Sequence, residues 1–246
     1  MSEETIEIPT ADGTADAYVH RPSAGGTAPG VLMLTDVGGL RPASLELSKR
    51  VAEAGFVVLT PNVFYRTAKP PLFTFTPNFA EERTQKRFAE LVGPLTPDAI
   101  ERDGGAFLDF LAALPGVKPG KFGLAGYCYT GGYALRVAAT QPDRVAATAS
   151  FHGGGLCTDA ETSPHLLLPR IKSRLYFGHA IKDRSMPQAA IDKLGQALAA
   201  WGGTYESEVY EGAYHGWTMP GHQAHNPAQA DRAFTKVTEL FAQTLR

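Results

Sequence analysis

Apolar positions along the chain fall into two alternating patterns. Short, nearly unbroken apolar runs recur at residues 30–35, 56–61, 121–125, 145–151 and 174–178. Each has the length of a strand and lacks the alternation of a half-exposed one, so they predict strands buried on both faces of a sheet. Between them lie segments of helical spacing at 42–54, 79–91, 96–114, 133–139 and 187–201, with a last one running to about Leu245. In the first, Leu45, Leu47, Val51 and Ala54 share the inner side and Gly55 ends the run; in the fifth, Ile191, Leu194, Leu198 and Trp201 repeat at helical intervals. Thr96 before Pro97, and Asn226 before Pro227, read as helix caps with proline at the first helical position. Residues 5–9 and 15–20 predict an antiparallel pair of edge strands around the turn Asp12-Gly13, and 205–210 alternates like a further strand.

Strand and helix thus alternate almost from end to end, which predicts an α/β fold with a mainly parallel, doubly wound sheet flanked by helices. The 246 residues suit one domain covering 1–246, and no repeat, linker or low-complexity tract divides them. Ligands of such sheets bind beyond the carboxyl ends of the strands, so residues just after strands are where chemistry is expected.

Composition narrows the partners. Hydrophobic residues make up 43% and charged residues 20%, with a formal net charge of −2 and basic residues scattered along the chain. That gives no footprint for nucleic acid or an anionic membrane. The start, Met1-Ser2-Glu3-Glu4-Thr5, is acidic and polar, unlike a targeting segment, and no apolar run reaches membrane-spanning length. A cytoplasmic protein is expected, with Cys128 and Cys157 reduced and either a monomer or a homodimer compatible with the sequence.

Cys128 stands in Gly126-Tyr127-Cys128-Tyr129-Thr130-Gly131-Gly132, between the strand at 121–125 and the helix at 133–139. A lone cysteine in a hydrophobic setting is usually inert core. Here the neighbouring glycines permit a sharp strand-to-helix turn that lifts the side chain to the sheet's carboxyl edge, a nucleophile elbow carrying sulfur. The helix N-terminus behind it favours a thiolate and a developing oxyanion. Two more residues occupy post-strand positions: Asp183 after 174–178, and His215 in Glu211-Gly212-Ala213-Tyr214-His215-Gly216-Trp217 after 205–210. The order nucleophile, acid, base is that of α/β-hydrolase triads. His215 would carry the thiol proton and Asp183 would orient it. Backbone amides of Val37 and Tyr129 would form the oxyanion hole.

Asp183 keeps a second reading, as cap of the helix starting near Pro187. His152, after the strand 145–151, stands in the wrong place for the triad base and reads as pocket wall; His179, His222 and His225 read as surface or loop residues. No group of His, Cys, Asp and Glu has metal-ligand spacing, so neither metal nor other cofactor is expected.

Together these residues resemble the dienelactone hydrolase family, cysteine-dependent members of the α/β-hydrolase fold. The resemblance spans nearly the whole chain. Its most specific parts are Gly126-Tyr127-Cys128, the segment from Glu211 to Gly216 and the one carrying Asp183, with Pro61-Asn62-Val63-Phe64-Tyr65-Arg66 also similar. It implies a triad of Cys128, Asp183 and His215. It also implies an acidic residue, here Asp36, against the resting thiol, where a carboxylate would keep the sulfur protonated and shielded from oxidation. Loop capping is the alternative for Asp36. The chain departs from the family in carrying Thr130 two residues after the nucleophile in place of glycine, which is expected to tighten the elbow. No arginine follows His215 in Gly216-Trp217-Thr218-Met219-Pro220.

Tyr65, Phe73 and Phe75 lie in a proline-rich segment that would either cover a pocket or pack on the core; with Trp217 and His152 they suggest an apolar, aromatic pocket rather than an anion clamp. The expected activity is hydrolysis of a small lactone or activated ester, since a thiolate is a better leaving group than an amide anion and peptides would not be cleaved. A broader carboxylesterase or thioesterase, and a catalytically silent hydrolase fold that binds a ligand, are the alternatives. A Rossmann dehydrogenase is disfavoured by the missing Gly-x-Gly-x-x-Gly spacing.

Overall fold

A computed structural model describes residues 2–245. Its frame is one eight-stranded sheet in the order β1-β2-β4-β3-β5-β6-β7-β8. The strands are β1 (Ser2–Thr10), β2 (Gly13–Arg21), β3 (Gly30–Leu34), β4 (Val57–Pro61), β5 (Phe122–Tyr127), β6 (Val145–Phe151), β7 (Arg174–Ala180) and β8 (Tyr205–Tyr210). β1 and β2 pair antiparallel, β2 joins β4 antiparallel, and the remaining pairings are parallel. The helices are α1 (Pro42–Glu53), α2 (Glu82–Val92), α3 (Pro97–Ala113), α4 (Thr130–Thr140), α5 (Gln188–Trp201) and α6 (Pro227–Thr244).

The two-residue period of the strands divides the core into two layers. Val31, Met33, Ala125 and Tyr127 face α1 and α6, meeting Leu47, Val51, Val237 and Phe241. Leu32, Leu34 and Leu124 face the other way, toward Phe107 and Leu111 of α3, Leu135 of α4 and Leu194 of α5. Both faces of β3, β4 and β5 are buried, which is why their sequences read as continuous apolar runs.

The structure moves several predicted boundaries. β1 begins at Ser2, ahead of the apolar pattern, because its polar positions pair across the hairpin: Glu4 with Arg21 at 2.9 Å and Glu3 with His20 at 3.1 Å. Helix α2 starts at Glu82, later than residue 79. Asn78 Oδ1 accepts the Ala80 N–H at 3.0 Å and Thr84 Oγ accepts the Asn78 N–H at 3.0 Å, a side-chain turn that competes with helix there. The predicted caps are present: Thr96 accepts from Ala99 N–H and Asn226 from Gln229 N–H, each at 3.2 Å.

Parallel pairing brings the carboxyl ends of adjacent strands into line. Tyr127 of β5 sits beside Phe151 of β6, which sits beside Gly178 of β7, and Ala180 pairs with Tyr210 of β8. The residues that follow these strands therefore gather on one edge of the sheet. Among the described residues no helix is long and apolar enough to cross a membrane.

Candidate active site

Cys128 follows β5 directly and precedes α4, with φ at +58°. A non-glycine residue adopts that left-handed conformation only when its surroundings hold it there. Two glycines make the turn possible. A Cβ on Gly126 would lie 2.2 Å from the Thr130 carbonyl oxygen, and one on Gly131 would lie 2.3 Å from Ser150 Oγ and 3.0 Å from Gly153 Cα. Gly126→Ala is therefore expected to destabilise the protein by about 1–3 kcal/mol, since backbone rather than a flexible side chain must give way. A denaturant midpoint equal to that of the unmodified protein would contradict this packing.

Thr130 does not crowd the elbow. Its fully buried hydroxyl accepts the Tyr127 N–H at 2.9 Å and shares its own proton between the Leu34 and Tyr127 carbonyls, at 2.9 and 3.0 Å. The side chain ties the end of β5 to the end of β3, which supplies the order a glycine would not.

The three post-strand residues meet. His215 Nε2 lies 3.1 Å from Cys128 Sγ, and His215 Nδ1 lies 2.7 Å from Asp183 Oδ2. The other carboxylate oxygen, Asp183 Oδ1, accepts the Ser185 N–H at 2.8 Å and its hydroxyl at 2.7 Å. Asp183 does not cap the next helix, which starts at Gln188 with Pro187 at the cap position and no side-chain cap bond. Burial opposes charge on His215, but the hydrogen bonds to Asp183 and Cys128 and the charges of both raise its pKa to about 10. Burial alone would raise Asp183; its bonds to His215 and Ser185 outweigh this and hold it below the ordinary carboxylate value.

The backbone amides of Val37 and Tyr129 donate to no protein acceptor among the described residues, and both residues border the cavity that contains Cys128. Asp36 lies in that cavity too, but its carboxylate is spent within the loop. It accepts the Gly38 N–H at 3.0 Å and a two-pronged ion pair from Arg41, one prong at 2.7 Å from Nη2 and the other from Nη1. The loop-capping reading of Asp36 describes this geometry, and the expected contact with the thiol is replaced by Arg41.

The cavity measures about 1480 Å³. Phe73 and Phe75 line it and pack edge-to-face, centroids 5.7 Å apart. Phe79, Phe88 and Tyr129 continue the aromatic wall, with centroid spacings of 5.7 and 6.0 Å. Two proposed pocket residues are elsewhere. Tyr65 donates to Asp103 Oδ1 at 2.9 Å and accepts from Thr10 at 2.7 Å, locking the β1–β2 hairpin to α3. Trp217 is fully buried behind the site, stacked on Tyr210 at 4.8 Å and edge-on to His152 at 5.0 Å. Its place next to His215 in sequence does not carry its side chain to the cavity, because the chain turns between them.

His152 does border the cavity, while its ring is bonded to the elbow. His179 is a buried strand residue rather than the surface or loop residue expected, bonded to Ser207 at 3.1 Å and pushed down to about 4 by burial. His222 is an exposed loop residue, as expected, and it lines the cavity. Lining residues that the sequence reading missed are Arg41, Phe88, Lys182, Arg184 and Tyr214. Lys182 and Arg184 flank Asp183, so their presence at the rim could have been inferred from the placement of Asp183. Cys128 and Cys157 are free thiols, and Cys157 is buried outside the cavity. Among the described residues no cluster of three or more His, Cys, Asp or Glu could hold a metal ion.

Residues 15–245 match the pattern of the Dienelactone hydrolase family. The chain is 29% identical over 208 residues to a provisionally named carboxymethylenebutenolidase of Synechocystis sp., covering 82% of this chain and 80% of that protein. It is 28% identical over 206 residues to the carboxymethylenebutenolidase of Rhodococcus opacus, covering 81% and 75%. The crystal structure of a provisionally named dienelactone hydrolase from Klebsiella pneumoniae superposes with a TM-score of 0.86 at 21% identity, covering 98% of each chain, a likeness of fold.

Proposed function

Because the chain belongs to the dienelactone hydrolase family, we propose that it hydrolyses small lactones or activated enol and aryl esters through a thioacyl-enzyme on Cys128. The observation that carries this reading is the continuous chain from Cys128 Sγ to His215 Nε2 (3.1 Å) and from His215 Nδ1 to Asp183 Oδ2 (2.7 Å) at the floor of an open cavity.

The chemistry follows from the geometry. His215 takes the thiol proton, and Asp183 holds the resulting imidazolium with its Nδ1–H toward the carboxylate. The sulfur attacks the acyl carbon, and the carbonyl electrons move to oxygen, where the free amides of Val37 and Tyr129 receive the charge. The adduct collapses by breaking the acyl–oxygen bond, and the departing oxygen takes the proton from His215. Water then gives a proton to His215 and attacks the thioester, releasing the acid and restoring the thiol. A thiolate leaves more readily than an amide anion, so the adduct goes forward most readily when the other leaving group is a stabilised oxyanion.

The aromatic wall of Phe73, Phe75, Phe79, Phe88 and Tyr129 supports an apolar or aryl portion in the substrate. The rim alters the expectation of a purely apolar site. Lys182 and Arg184 are exposed there and make no ion pair among the described residues, and the acidic lining residues, Asp36 and Asp183, are already engaged. A lactone or ester bearing a carboxylate is therefore compatible with the site, as for the relatives named carboxymethylenebutenolidase. The breadth of the cavity, larger than most single-ligand sites, also favours a broader carboxylesterase range as a second reading.

The test compares p-nitrophenyl acetate with p-nitroacetanilide, with mass spectrometry on the quenched protein. The ester is expected to give a burst of nitrophenol and an acetyl group on the peptide containing Cys128, while the anilide stays intact. Absence of both burst and adduct with aryl esters and enol lactones alike would remove the proposal.

A further inference from the structure

His152 ends up in a position that the triad does not use. It follows β6 as Cys128 follows β5, is 1% exposed, and has φ at +40°. Its ring bridges two groups. Nδ1 lies 3.1 Å from the Cys128 backbone N–H, and Nε2 lies 2.8 Å from Thr218 Oγ. An N–H donating to Nδ1 requires a lone pair there, so the ring proton sits on Nε2 and is given to the threonine hydroxyl. Both nitrogens are thereby committed, and a second proton could be placed only against the Cys128 amide. Burial and the nearby charge of His215 push the same way, holding the ring neutral.

The geometry points to His152 as a positioning residue for the nucleophile: a neutral imidazole, held by Thr218, that anchors the Cys128 amide and so keeps the sulfur in register with His215. The Cys128 N–H is shared between His152 Nδ1 and the Phe151 carbonyl, each at 3.1 Å, and these two acceptors straddle the turn that gives Cys128 its left-handed φ. The His152 and His215 rings stand 5.1 Å apart, so a charge on the former would oppose the imidazolium that the latter must form. His152 is thus a wall that stays uncharged, leaving one basic imidazole at the sulfur. This role rests on Cys128 and His215 acting as proposed above when it is read through turnover; it is independent of turnover when read through thiol reactivity.

An asparagine side chain places its amide oxygen where imidazole carries Nδ1, whereas glutamine, nearer to histidine in size, reaches the Nε2 position instead. His152→Asn and His152→Gln therefore separate the anchor from mere filling of space. Two quantities are read for each: the rate of alkylation of Cys128 by iodoacetamide, assigned by peptide mass so that Cys157 does not contribute, and kcat and KM for p-nitrophenyl acetate. His152→Gln is expected to lose about tenfold in alkylation rate and kcat with KM within about twofold, and His152→Asn to recover to within about threefold of the unmodified protein, the scale of one net hydrogen bond. Wild-type rates in His152→Gln, or an equal loss in both variants with melting temperatures unchanged, would overturn the proposal. Should His152→Gln not fold, Thr218→Val carries the test: it removes the acceptor of the Nε2–H at nearly constant shape, and wild-type alkylation and kcat in it would equally overturn the role. If the unmodified protein hydrolyses no ester, the alkylation rates still decide, so failure of the substrate reading and failure of the anchor give different results.

Discussion

Cys128→Ala is expected to lower aryl-ester turnover at least about 10³-fold and to eliminate both the burst and the acyl adduct, because removing a nucleophile that acts with its base as one unit forfeits most of their joint effect. What remains would come from the amides of Val37 and Tyr129 and from binding in the cavity, neither of which touches the substituted atom. KM is expected to change little, since the sulfur contributes to bond making rather than to the ground-state contacts of the acyl group. The fold should survive: Cys128 is partly exposed, and alanine can hold the same turn through the Phe151 and His152 acceptors. Circular dichroism and the melting temperature check that point, and steady-state and stopped-flow hydrolysis of p-nitrophenyl acetate measure the rest. Retention of more than a tenth of the activity in a folded Cys128→Ala protein would end the cysteine mechanism.

Asp183→Asn is expected to reduce kcat about 10³- to 10⁴-fold at neutral pH while leaving the structure intact, by the same logic of tautomer control that governs oriented histidines generally. The direction of the bonds explains why so small a change costs so much. Asp183 Oδ1 receives two donors from Ser185, at 2.8 and 2.7 Å, so an asparagine would keep its carbonyl oxygen there and turn its NH₂ toward His215 Nδ1. Nδ1 would then have to accept, the ring proton would move to Nε2, and Nε2 would point an N–H at the sulfur it is meant to deprotonate. The carboxylate that holds the His215 pKa near 10 would be lost as well. Part of the activity is expected to return at alkaline pH, where the thiol ionises without help, whereas the unmodified protein should show no such gain. A kcat/KM profile from pH 6 to 10 distinguishes the two, and an Asp183→Asn enzyme within tenfold of the parent at pH 7 would refute the orienting role.

The places of Cys128, Asp183 and His215 could be read from the chain because each depends on a local pattern. A strand buried on both faces has to be apolar throughout, and a sharp strand-to-helix turn needs glycine where backbones touch, as Gly126 and Gly131 do. Where local chemistry competed with the pattern, the reading slipped. Asn78 and Thr84 bond into a turn where apolar spacing suggested helix, and the polar start of β1 is held by pairing with β2 rather than by burial. Tyr65 and Trp217 differ in kind: they stand near the cavity segment and near His215 in sequence, but their side chains pack away from the cavity in space.

The sequence by itself determined the alternation of strand and helix, the sheet edge on which chemistry would gather, the cysteine elbow and the order of its partners. Only the tertiary structure decided which side chains face the cavity, that Asp36 spends its carboxylate on Arg41, that Asp183 turns to His215 rather than to a helix cap, and that the His152 ring is bonded at both nitrogens. The physical reason is range. Period and turn chemistry are settled by neighbours a few residues apart, but a side chain's direction and a ring's tautomer are set by groups such as Thr218 and Cys128, brought together only when distant strands pair.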